Sequence, residues 1–270
     1  MVKKSAFSLD GAICVITGAS SGLGRQFALD FATNGATVVG LARRSDLLKS
    51  LQSDLSQRQP HTRSKTVVCD VSDIDSFISV LESIDNEFGR IDVLVNCAGI
   101  GEPKDAKDTD DLTRALVGYR SVMETNYFAA VASTLYALQG MGKRGNGVIV
   151  NVSSDSARAP GPGEPAYCAS KAALSAFTES LALSLDGSGL HFHVLYPGWV
   201  PTAMGTGAID DGMSMPPKFV RRSEEQVSQL LISRIGMSRI DIDAAPIARF
   251  APVARALAPN AYKKGVIASS

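Results

Sequence analysis

Residues 12–33 read AICVITGASSGLGRQFALDFAT, which joins an apolar run, a glycine-rich turn and a helix-prone stretch. The first six residues are continuously apolar or β-branched, as expected of a strand covered on both faces. Gly18, Gly22 and Gly24 follow at once, and glycines there permit a tight turn and bring the backbone close to a phosphate. This strand–turn–helix unit predicts a phosphate-binding loop at the start of an α/β fold.

Five more runs of this kind recur along the 270 residues, separated by segments long enough for crossover helices. That alternation predicts βαβ units and therefore a parallel sheet. We expect one domain over residues 1–270, an α/β fold with a single Rossmann-like doubly wound parallel sheet. It should have six to seven strands, helices on both faces, and a ligand crevice at the carboxyl ends of the strands. The predicted strands after the first cover residues 37–41, 66–69, 91–95, 147–152 and 190–196.

Charge and hydropathy limit the classes of partner. The chain carries 27 basic and 27 acidic side chains, so no overall field favours nucleic acid or an anionic membrane. No apolar run approaches the length that spans a bilayer, and Asp10 interrupts the N-terminal stretch before a secretory signal could form. We therefore expect a cytoplasmic protein with neither nucleic acid nor membrane as a partner.

The cysteines and histidines indicate neither a disulfide framework nor a metal site. The cysteines are widely spaced without a C-x-x-C pair, and we expect them to be small buried apolar residues. His191 and His193 alternate within one predicted strand and do not cluster with carboxylates, so we expect structural roles and no metal. The four cysteines are Cys14, Cys69, Cys97 and Cys168.

The end of the second predicted strand bears on the choice of dinucleotide. Enzymes that prefer NAD usually place an acid there, about twenty residues after the glycines, for the ribose 2′-hydroxyl. Here Ala42 stands at the strand end, followed by Arg43 and Arg44, and guanidinium groups pair well with a 2′-phosphate. Asp46 is typical of the first turn of the next helix. The pattern favours NADP(H).

The glycine turn also matches a second motif. Gly18–Gly22 spell G-x-S-x-G, the nucleophile elbow of α/β-hydrolases, with Ser20 as nucleophile and His191 or His193 as a candidate base. That elbow normally follows a strand late in the chain rather than the first one. A serine hydrolase therefore stays as the weaker alternative.

A tyrosine and a lysine four residues apart form the candidate catalytic pair. Tyr167 and Lys171 would lie one turn apart on one helix face. A free phenol has a pKa near 10, and a neighbouring ammonium is expected to lower it toward the working range. A serine at the end of the fifth strand, Ser153 or Ser154, could donate a hydrogen bond to a substrate oxygen.

Together these motifs resemble the short-chain dehydrogenase/reductase family. The similarity rests on residues 17–24, Asn96-Cys97-Ala98-Gly99, Asn126, Ser154, Tyr167-x-x-x-Lys171 and Tyr196-Pro197-Gly198, and extends from Gly18 to Thr202. One departure is Cys97, where the family more often has asparagine, and it puts a local structural hydrogen bond in doubt.

The resemblance implies roles for matching residues. Tyr167 would give a proton to a reduced carbonyl or take it from an alcohol, and Ser154, thirteen residues earlier, would stabilise the oxyanion. Lys171 would lower the pKa of the tyrosine and bind the nicotinamide ribose. Asn126 would anchor a proton-relay water in an interrupted helix. Asp70 and Val71 would contact the adenine.

The predicted cofactor site combines the glycine turn, the arginine pair and the strand ends. Its members are Gly18, Ser20, Ser21, Gly22, Leu23, Gly24, Arg43, Arg44, Asp70, Val71, Asn96, Ala98, Gly99, Tyr167, Lys171, Pro197, Gly198, Val200 and Thr202.

Substrate and assembly are less strongly indicated. Residues 203–222 are rich in glycine, proline and methionine, which suits either a mobile lid or a plain surface connection. With Trp199, Tyr127 and Phe219 they hint at an apolar pocket for a small carbonyl or alcohol, and Glu102 or Glu164 could contact a polar group. The helix-prone stretches 112–138 and 169–185 resemble the surfaces through which family members form homodimers or homotetramers. A catalytically silent dinucleotide sensor remains an alternative, although all four candidate catalytic residues are present.

Overall fold

The computed structural model describes residues 7–59, 62–103, 106, 110–210 and 215–268. In these residues a seven-stranded sheet has the order β3-β2-β1-β4-β5-β6-β7, and every neighbouring pair is parallel. The predicted fold class is confirmed. The strands are β1 Ile13–Thr17, β2 Thr37–Ala42, β3 Lys65–Val68, β4 Val93–Asn96, β5 Gly147–Val152, β6 Leu190–Tyr196 and β7 Asp241–Asp243.

Helices cover both faces of the sheet, which explains why the strands are apolar throughout. Phe27, Phe31 and Leu231 belong to the apolar cluster on one face, whereas Phe77 and Met141 belong to the cluster on the other. The helices are α1 Gly22–Thr33, α2 Ser45–Arg58, α3 Ile74–Phe88, α4 Leu112–Met123, α5 Ala129–Arg144, α6 Pro165–Ser184, α7 Ala203–Asp210, α8 Glu224–Arg234, α9 Ala251–Leu257 and α10 Pro259–Ala268.

The chain turns back between β1 and β4, and this arrangement opens a crevice. From β1 it runs outward through β2 and β3, then crosses to β4 on the other side of β1. The loops after β1 and β4 therefore leave the sheet in opposite directions at the carboxyl edge, where ligands bind in doubly wound folds.

A π-helical turn, Glu124–Phe128, interrupts the long helix-prone stretch between α4 and α5. A π-helical turn inserts a residue into the regular ladder and often marks a functional site. The buried Asn126 lies in this turn, so the interrupted helix expected from the family resemblance is present at that residue.

The predicted loop 203–222 is wrong in part. Residues 203–210 form α7, and a 3₁₀ turn covers Lys218–Val220. The Thr202 hydroxyl accepts a hydrogen bond from the Gly205 amide at 3.2 Å and so caps α7. A Cβ on Gly205 would lie 2.2 Å from the Val200 carbonyl oxygen, so this glycine permits close packing rather than a loop. Gly212 and Met213 lie outside the described residues.

Candidate active site

A cleft of about 610 Å³ runs along the carboxyl edge of the sheet. Its wall combines the glycine turn after β1, the ends of β2 to β6, the start of α6 and the start of α7. Nearly all predicted site residues line it: Gly18, Ser20, Ser21, Gly22, Leu23, Gly24, Arg43, Arg44, Asp70, Val71, Ala98, Gly99, Ser154, Tyr167, Lys171, Pro197, Gly198, Val200 and Thr202.

Two glycines of the turn are required by close backbone packing. Gly18 has φ +71°, and a Cβ there would lie 2.9 Å from the backbone of Ala98. A Cβ on Gly24 would lie 2.4 Å from the Gly18 carbonyl oxygen. The Thr17 hydroxyl accepts hydrogen bonds from the Cys97 and Ala98 amides at 3.0 Å each, which fixes the turn against the end of β4. Backbone atoms therefore form the floor of the cleft.

The N-terminus of α1 is suited to an anion. Among the described residues, no side chain caps this helix end, and its first turn carries no acidic residue. The first amides of a helix lack internal partners and carry partial positive charge. A phosphate group at this helix end would accept hydrogen bonds from the amides and balance their partial positive charge.

The two arginines after β2 point to different partners. Arg44 donates to the Ser20 hydroxyl at 3.0 Å and also to the Ser21 hydroxyl, so it bridges β2 and the glycine turn. Arg43 pairs with Asp70 at 3.7 Å, and both side chains are largely exposed. Partial burial would raise the pKa of Asp70, but hydrogen bonds from Ser72 and the charge of Arg43 lower it overall.

Ser154, Tyr167 and Lys171 meet at the other end of the cleft. A hydrogen bond joins the Tyr167 phenol to Ser154. The Lys171 ammonium lies 5.9 Å from the centre of the Tyr167 ring and donates to the Val152 carbonyl oxygen at 2.9 Å. Ser153 faces away from this pair, because its hydroxyl bonds to Ser175 at 2.7 Å and to the Lys171 carbonyl oxygen. The choice of Ser154 over Ser153 agrees with this geometry.

The predicted lowering of the Tyr167 pKa is wrong for the chain itself. Burial raises the pKa of Tyr167 to about 12, against the lowering effect of the Ser154 hydrogen bond. Burial likewise lowers the pKa of Lys171 to about 8. Desolvation penalises the charged form of each group and here outweighs the attraction expected between them.

Asn126 ties the cleft wall to α6. Its side-chain amide donates to the Ile100 carbonyl oxygen at 2.9 Å and to the Ser170 hydroxyl at 3.1 Å, and its oxygen accepts from the Ile100 amide at 2.8 Å. The Ser170 hydroxyl in turn donates to the Tyr167 carbonyl oxygen at 2.8 Å. Asn126 therefore holds the chain after β4 against the helix that carries Tyr167, and its role with a relay water stays a prediction.

The structure places Asn96 behind the cleft wall rather than in it. Its amide donates to Asn151 at 2.8 Å, and its oxygen accepts from the Ser133 hydroxyl at 2.8 Å, all among buried groups. Buried polar groups are normally hydrogen-bonded, and these bonds keep the Asn96 side chain in the interior. These bonds link β4, β5 and α5, and the predicted contact of Asn96 with the cofactor stays a prediction.

Glu102 is a site residue whose role the sequence did not reveal. Its carboxylate accepts hydrogen bonds from the Tyr167 amide at 2.9 Å and the Ala166 amide at 3.3 Å, and so caps the start of α6. The partners are more than sixty residues apart in sequence, so no local pattern could have signalled the contact.

Apolar side chains extend the cleft beyond the catalytic residues. Trp199 and Met204 line it, as the proposed apolar pocket requires, whereas Tyr127 packs against Phe128 and Phe177 instead. Phe219 is exposed, outside the cleft. Other lining residues that sequence reasoning did not select are Ala42, Cys69, Cys97, Ile100, Gly101, Thr125, Val152, Ser156, Ala203, Gly205 and Gly207.

One of the two candidate histidine bases of a hydrolase, His193, is already used within the protein. His193 is fully buried in β6, with Nδ1 3.0 Å from the Arg239 carbonyl oxygen and Nε2 accepting from the Gly236 amide at 3.0 Å. Burial lowers the pKa of His193 to about 4. In the described part of the chain, no group of three or more His, Cys, Asp or Glu side chains could hold a metal ion. All four cysteines are free thiols.

A family model described as short chain dehydrogenase matches residues 12–211. The chain belongs to the short-chain dehydrogenase family. A relative from Anopheles gambiae, a dehydrogenase/reductase SDR family protein 7-like, is 34% identical over 96% of this chain and 83% of its own length. An 11-beta-hydroxysteroid dehydrogenase 1A from Arabidopsis thaliana is 33% identical over 76% of this chain and 57% of its own length. Membership of this family supports an oxidoreductase rather than the hydrolase alternative.

Solved structures of short-chain dehydrogenases share this fold. A short-chain type dehydrogenase/reductase from Mycobacterium marinum superposes with TM-score 0.77 at 26% identity, covering 87% of this chain and 94% of its own. An actinorhodin polyketide ketoreductase with NADPH gives 0.77 at 23% identity over 89% and 98% of the two chains. An NAD⁺-bound xylitol dehydrogenase gives 0.74 at 21% over 88% and 99%. Nicotinamide cofactors of both kinds occur on the fold.

Across the helices formed by described residues, none combines the length and apolar character needed to cross a membrane.

Proposed function

We propose that this short-chain dehydrogenase is an NADP(H)-dependent oxidoreductase that interconverts a carbonyl and an alcohol, with Tyr167 as the acid and base. The observation that carries the proposal is the arrangement of one cleft. Ser154, Tyr167 and Lys171 lie together at one end of it, and Arg43 and Arg44 lie at the other.

The cleft residues fit a dinucleotide. Gly18 and Gly24 leave backbone where a Cβ would clash, and the N-terminus of α1 offers unpaired amides to a pyrophosphate. Arg43 and Arg44 would hold a 2′-phosphate, and Pro197 to Thr202 would flank the nicotinamide end. When bound, the nicotinamide would supply or accept the hydride.

Tyr167 is in the right protonation state to act first as an acid. With a pKa of about 12 it is neutral at pH 7, and a neutral phenol is the form that gives up a proton. An alkoxide is more basic than a phenolate, so the proton passes from Tyr167 to the substrate oxygen as charge develops there. Ser154, already hydrogen-bonded to the phenol, would donate to the same oxygen.

Lys171 stabilises the phenolate that Tyr167 leaves behind. A pKa of about 8 keeps most of the Lys171 side chains protonated at pH 7. A buried ammonium one helical turn from the phenol favours its ionised form at that moment. Its hydrogen bond to the Val152 carbonyl oxygen keeps it in place.

The end of β2 supports NADP(H) over NAD(H). Ala42 lines the cleft at the position where an acid would accept the ribose 2′-hydroxyl, and Arg43 and Arg44 line it next to Ala42. Asp70 is the nearby acid, but it pairs with Arg43. Guanidinium groups bind phosphate in a bidentate manner, so a 2′-phosphate gains contacts that a hydroxyl lacks.

Further features bear on substrate, assembly and compartment. Ile100, Trp199, Ala203 and Met204 line the cleft and favour a small apolar substrate. Free cysteines suit a reducing cytoplasm.

Exposed apolar side chains on α4, α5, α6 and the π-helical turn support a homodimer or homotetramer: Leu112, Leu116, Val117, Phe128, Leu135 and Leu183.

The test is consumption of NADPH or NADH in the presence of a panel of ketones and aldehydes, followed by absorbance. Wild-type protein should reduce at least one class of carbonyl with NADPH as the preferred cofactor. Tyr167→Phe should bind NADPH with unchanged affinity, measured by fluorescence titration, yet lose about a thousandfold in kcat. Equal rates in wild type and Tyr167→Phe would contradict the proposal.

A further inference from the structure

The C-terminal segment 246–268 exposes a row of large apolar side chains. Ile247 and Phe250 lie in a 3₁₀ turn, Pro246–Phe250, and Val253 and Leu257 follow in α9. Spacings of three and four residues place such side chains on one helical face. Phe250 is 61% exposed and Leu257 is 81% exposed, so the described part of the chain does not cover this row. We call these four side chains the C-terminal apolar row.

The helix beneath this row gains little from the rest of the protein. α9 has seven residues, and all of its side chains but the first are exposed. Helices shorter than about twelve residues are marginal in water without packing against another surface. Its neighbour α10 packs against it but is itself mostly exposed. A second surface covering the row would supply the missing stabilisation.

The charge of the segment is entirely positive. Between residues 244 and 268 the sequence carries Arg249, Arg255, Lys263 and Lys264 and no aspartate or glutamate. The balance of 27 basic and 27 acidic side chains over the whole chain conceals this local excess. A cationic helical face with an exposed apolar row is the pattern of segments that lie on anionic lipid.

We propose that the C-terminal segment 246–268 docks the protein on an anionic lipid surface, with the apolar row entering the headgroup boundary. A second copy of the chain is a poorer occupant, because a two-fold interface sets the same patch against itself. That arrangement would bring four cations of one copy against four of the other with no acid of the segment to pair them. Anionic phospholipid headgroups supply the opposite charge.

The position of the segment would bring lipid close to the mouth of the cleft. Arg222 donates to the Ala244 carbonyl oxygen at 2.6 Å and to the Phe219 carbonyl oxygen at 3.0 Å. It therefore ties the chain just before the C-terminal segment to the stretch that exposes Met215 and Phe219. Met204 of α7 lines the cleft and is itself exposed. The docking proposal stands without the proposed reaction, since binding to lipid requires no turnover.

Vesicle flotation with the full-length protein tests the proposal. Vesicles of phosphatidylcholine alone are compared with vesicles that also contain about one third phosphatidylserine, at low and at high salt. Wild-type protein should float with the anionic vesicles, and bind at least about tenfold less to neutral vesicles or at high salt. Phe250→Ser/Leu257→Ser should lose about tenfold in binding, and Lys263→Glu/Lys264→Glu should lose a similar factor.

The control is Leu47→Ser/Val68→Ser, which removes two exposed apolar side chains from α2 and β3, away from both the C-terminal segment and the surface proposed to join subunits. It should bind vesicles as wild type does. Wild-type protein that stays unbound with every vesicle would overturn the proposal. So would a change of oligomeric state in Phe250→Ser/Leu257→Ser, measured by light scattering, without a change in vesicle binding, since the row would then join copies of the chain.

Discussion

The two ends of the cleft differ in how they treat charge. At the catalytic end, Lys171 is buried. Burial raises the pKa of Tyr167 and lowers the pKa of Lys171, so it favours the uncharged form of each side chain. At the other end, Arg43 and Asp70 form an ion pair that remains largely exposed. Desolvated groups interact strongly and respond to small changes in position, whereas exposed pairs contribute little and are screened by salt. The difference assigns chemistry to the buried end and cofactor choice to the exposed end.

The largest effect beyond loss of Tyr167 itself should follow removal of the buried charge. Lys171→Met keeps much of the side-chain volume but removes the ammonium that favours the phenolate. We expect kcat to fall by about a hundredfold or more, and the alkaline limb of the pH–rate profile to move upward. Stopped assays across pH 6 to 10 measure both, with Lys143→Met, near the end of α5, as control. An unchanged profile in Lys171→Met would contradict a role for that charge.

A smaller loss should follow from removing the carboxylate that caps α6. Glu102→Ala leaves the Ala166 and Tyr167 amides without their acceptor. We expect about a tenfold fall in kcat and about 1 kcal/mol lower stability, because loss of a helix cap typically costs that much. Glu102→Gln keeps an acceptor oxygen and should recover most of the kcat and most of the stability. Equal losses in the alanine and glutamine variants would show that the cap does not position Tyr167.

At the exposed end the effect should be confined to cofactor affinity. Arg44→Ala should raise the Kd for NADPH by about tenfold and leave the Kd for NADH almost unchanged, since only NADPH carries the 2′-phosphate. Arg43→Asp should likewise weaken the binding of NADPH and leave that of NADH almost unchanged. The loss should shrink at high salt because these side chains are exposed. Fluorescence titrations with both cofactors measure these Kd values. An equal rise in the Kd for NADH would contradict the assignment of cofactor choice to the exposed end of the cleft.

The smallest effect concerns stability rather than rate. Burial raises the pKa of Asp155, next to Ser154, from 3.8 to about 6, against the lowering influence of Arg158. Between these values the folded chain holds a proton that the unfolded chain has lost. Stability is therefore lost as pH rises through this window, and the full penalty is present above pH 6. Asp155→Asn removes it.

Asp155→Asn should consequently stabilise the protein at pH 7.5 by about 2 kcal/mol more than at pH 4. Urea denaturation at the two pH values measures the difference. Asp46→Asn alters a carboxylate that is 95% exposed and should show no such difference. A gain in Asp155→Asn that is the same at both pH values would contradict the assigned pKa.

Local patterns in the sequence were enough to predict the elements that carry the site. The run from β1 into α1 was predictable because the glycines, the apolar run and the helix signal are adjacent. Tyr167 and Lys171 were predictable as neighbours because a helix alone sets their separation. Both features depend on short stretches of chain.

Features that depend on distant partners were not predictable. The cap that Glu102 gives α6 and the polar network around Asn96 join residues from separate elements. The direction of the Tyr167 pKa shift depends on how deeply the fold buries the phenol, which spacing does not reveal. The glycines, prolines and methionines of residues 203–222 predict a loop, whereas residues 203–210 form α7, in which Gly205 packs closely against the Val200 carbonyl oxygen.

Transfer of deuterium from NADPH labelled at the nicotinamide C4 tests the central claim most directly. With a carbonyl compound that the protein reduces, mass spectrometry of the alcohol should find one deuterium on the carbinol carbon when the label is on the transferred face. The same reaction with Tyr167→Phe should yield about a thousandfold less labelled product at full cofactor occupancy. Labelled product formed equally fast without the Tyr167 hydroxyl, or alcohol formed without deuterium from either face, would contradict the account.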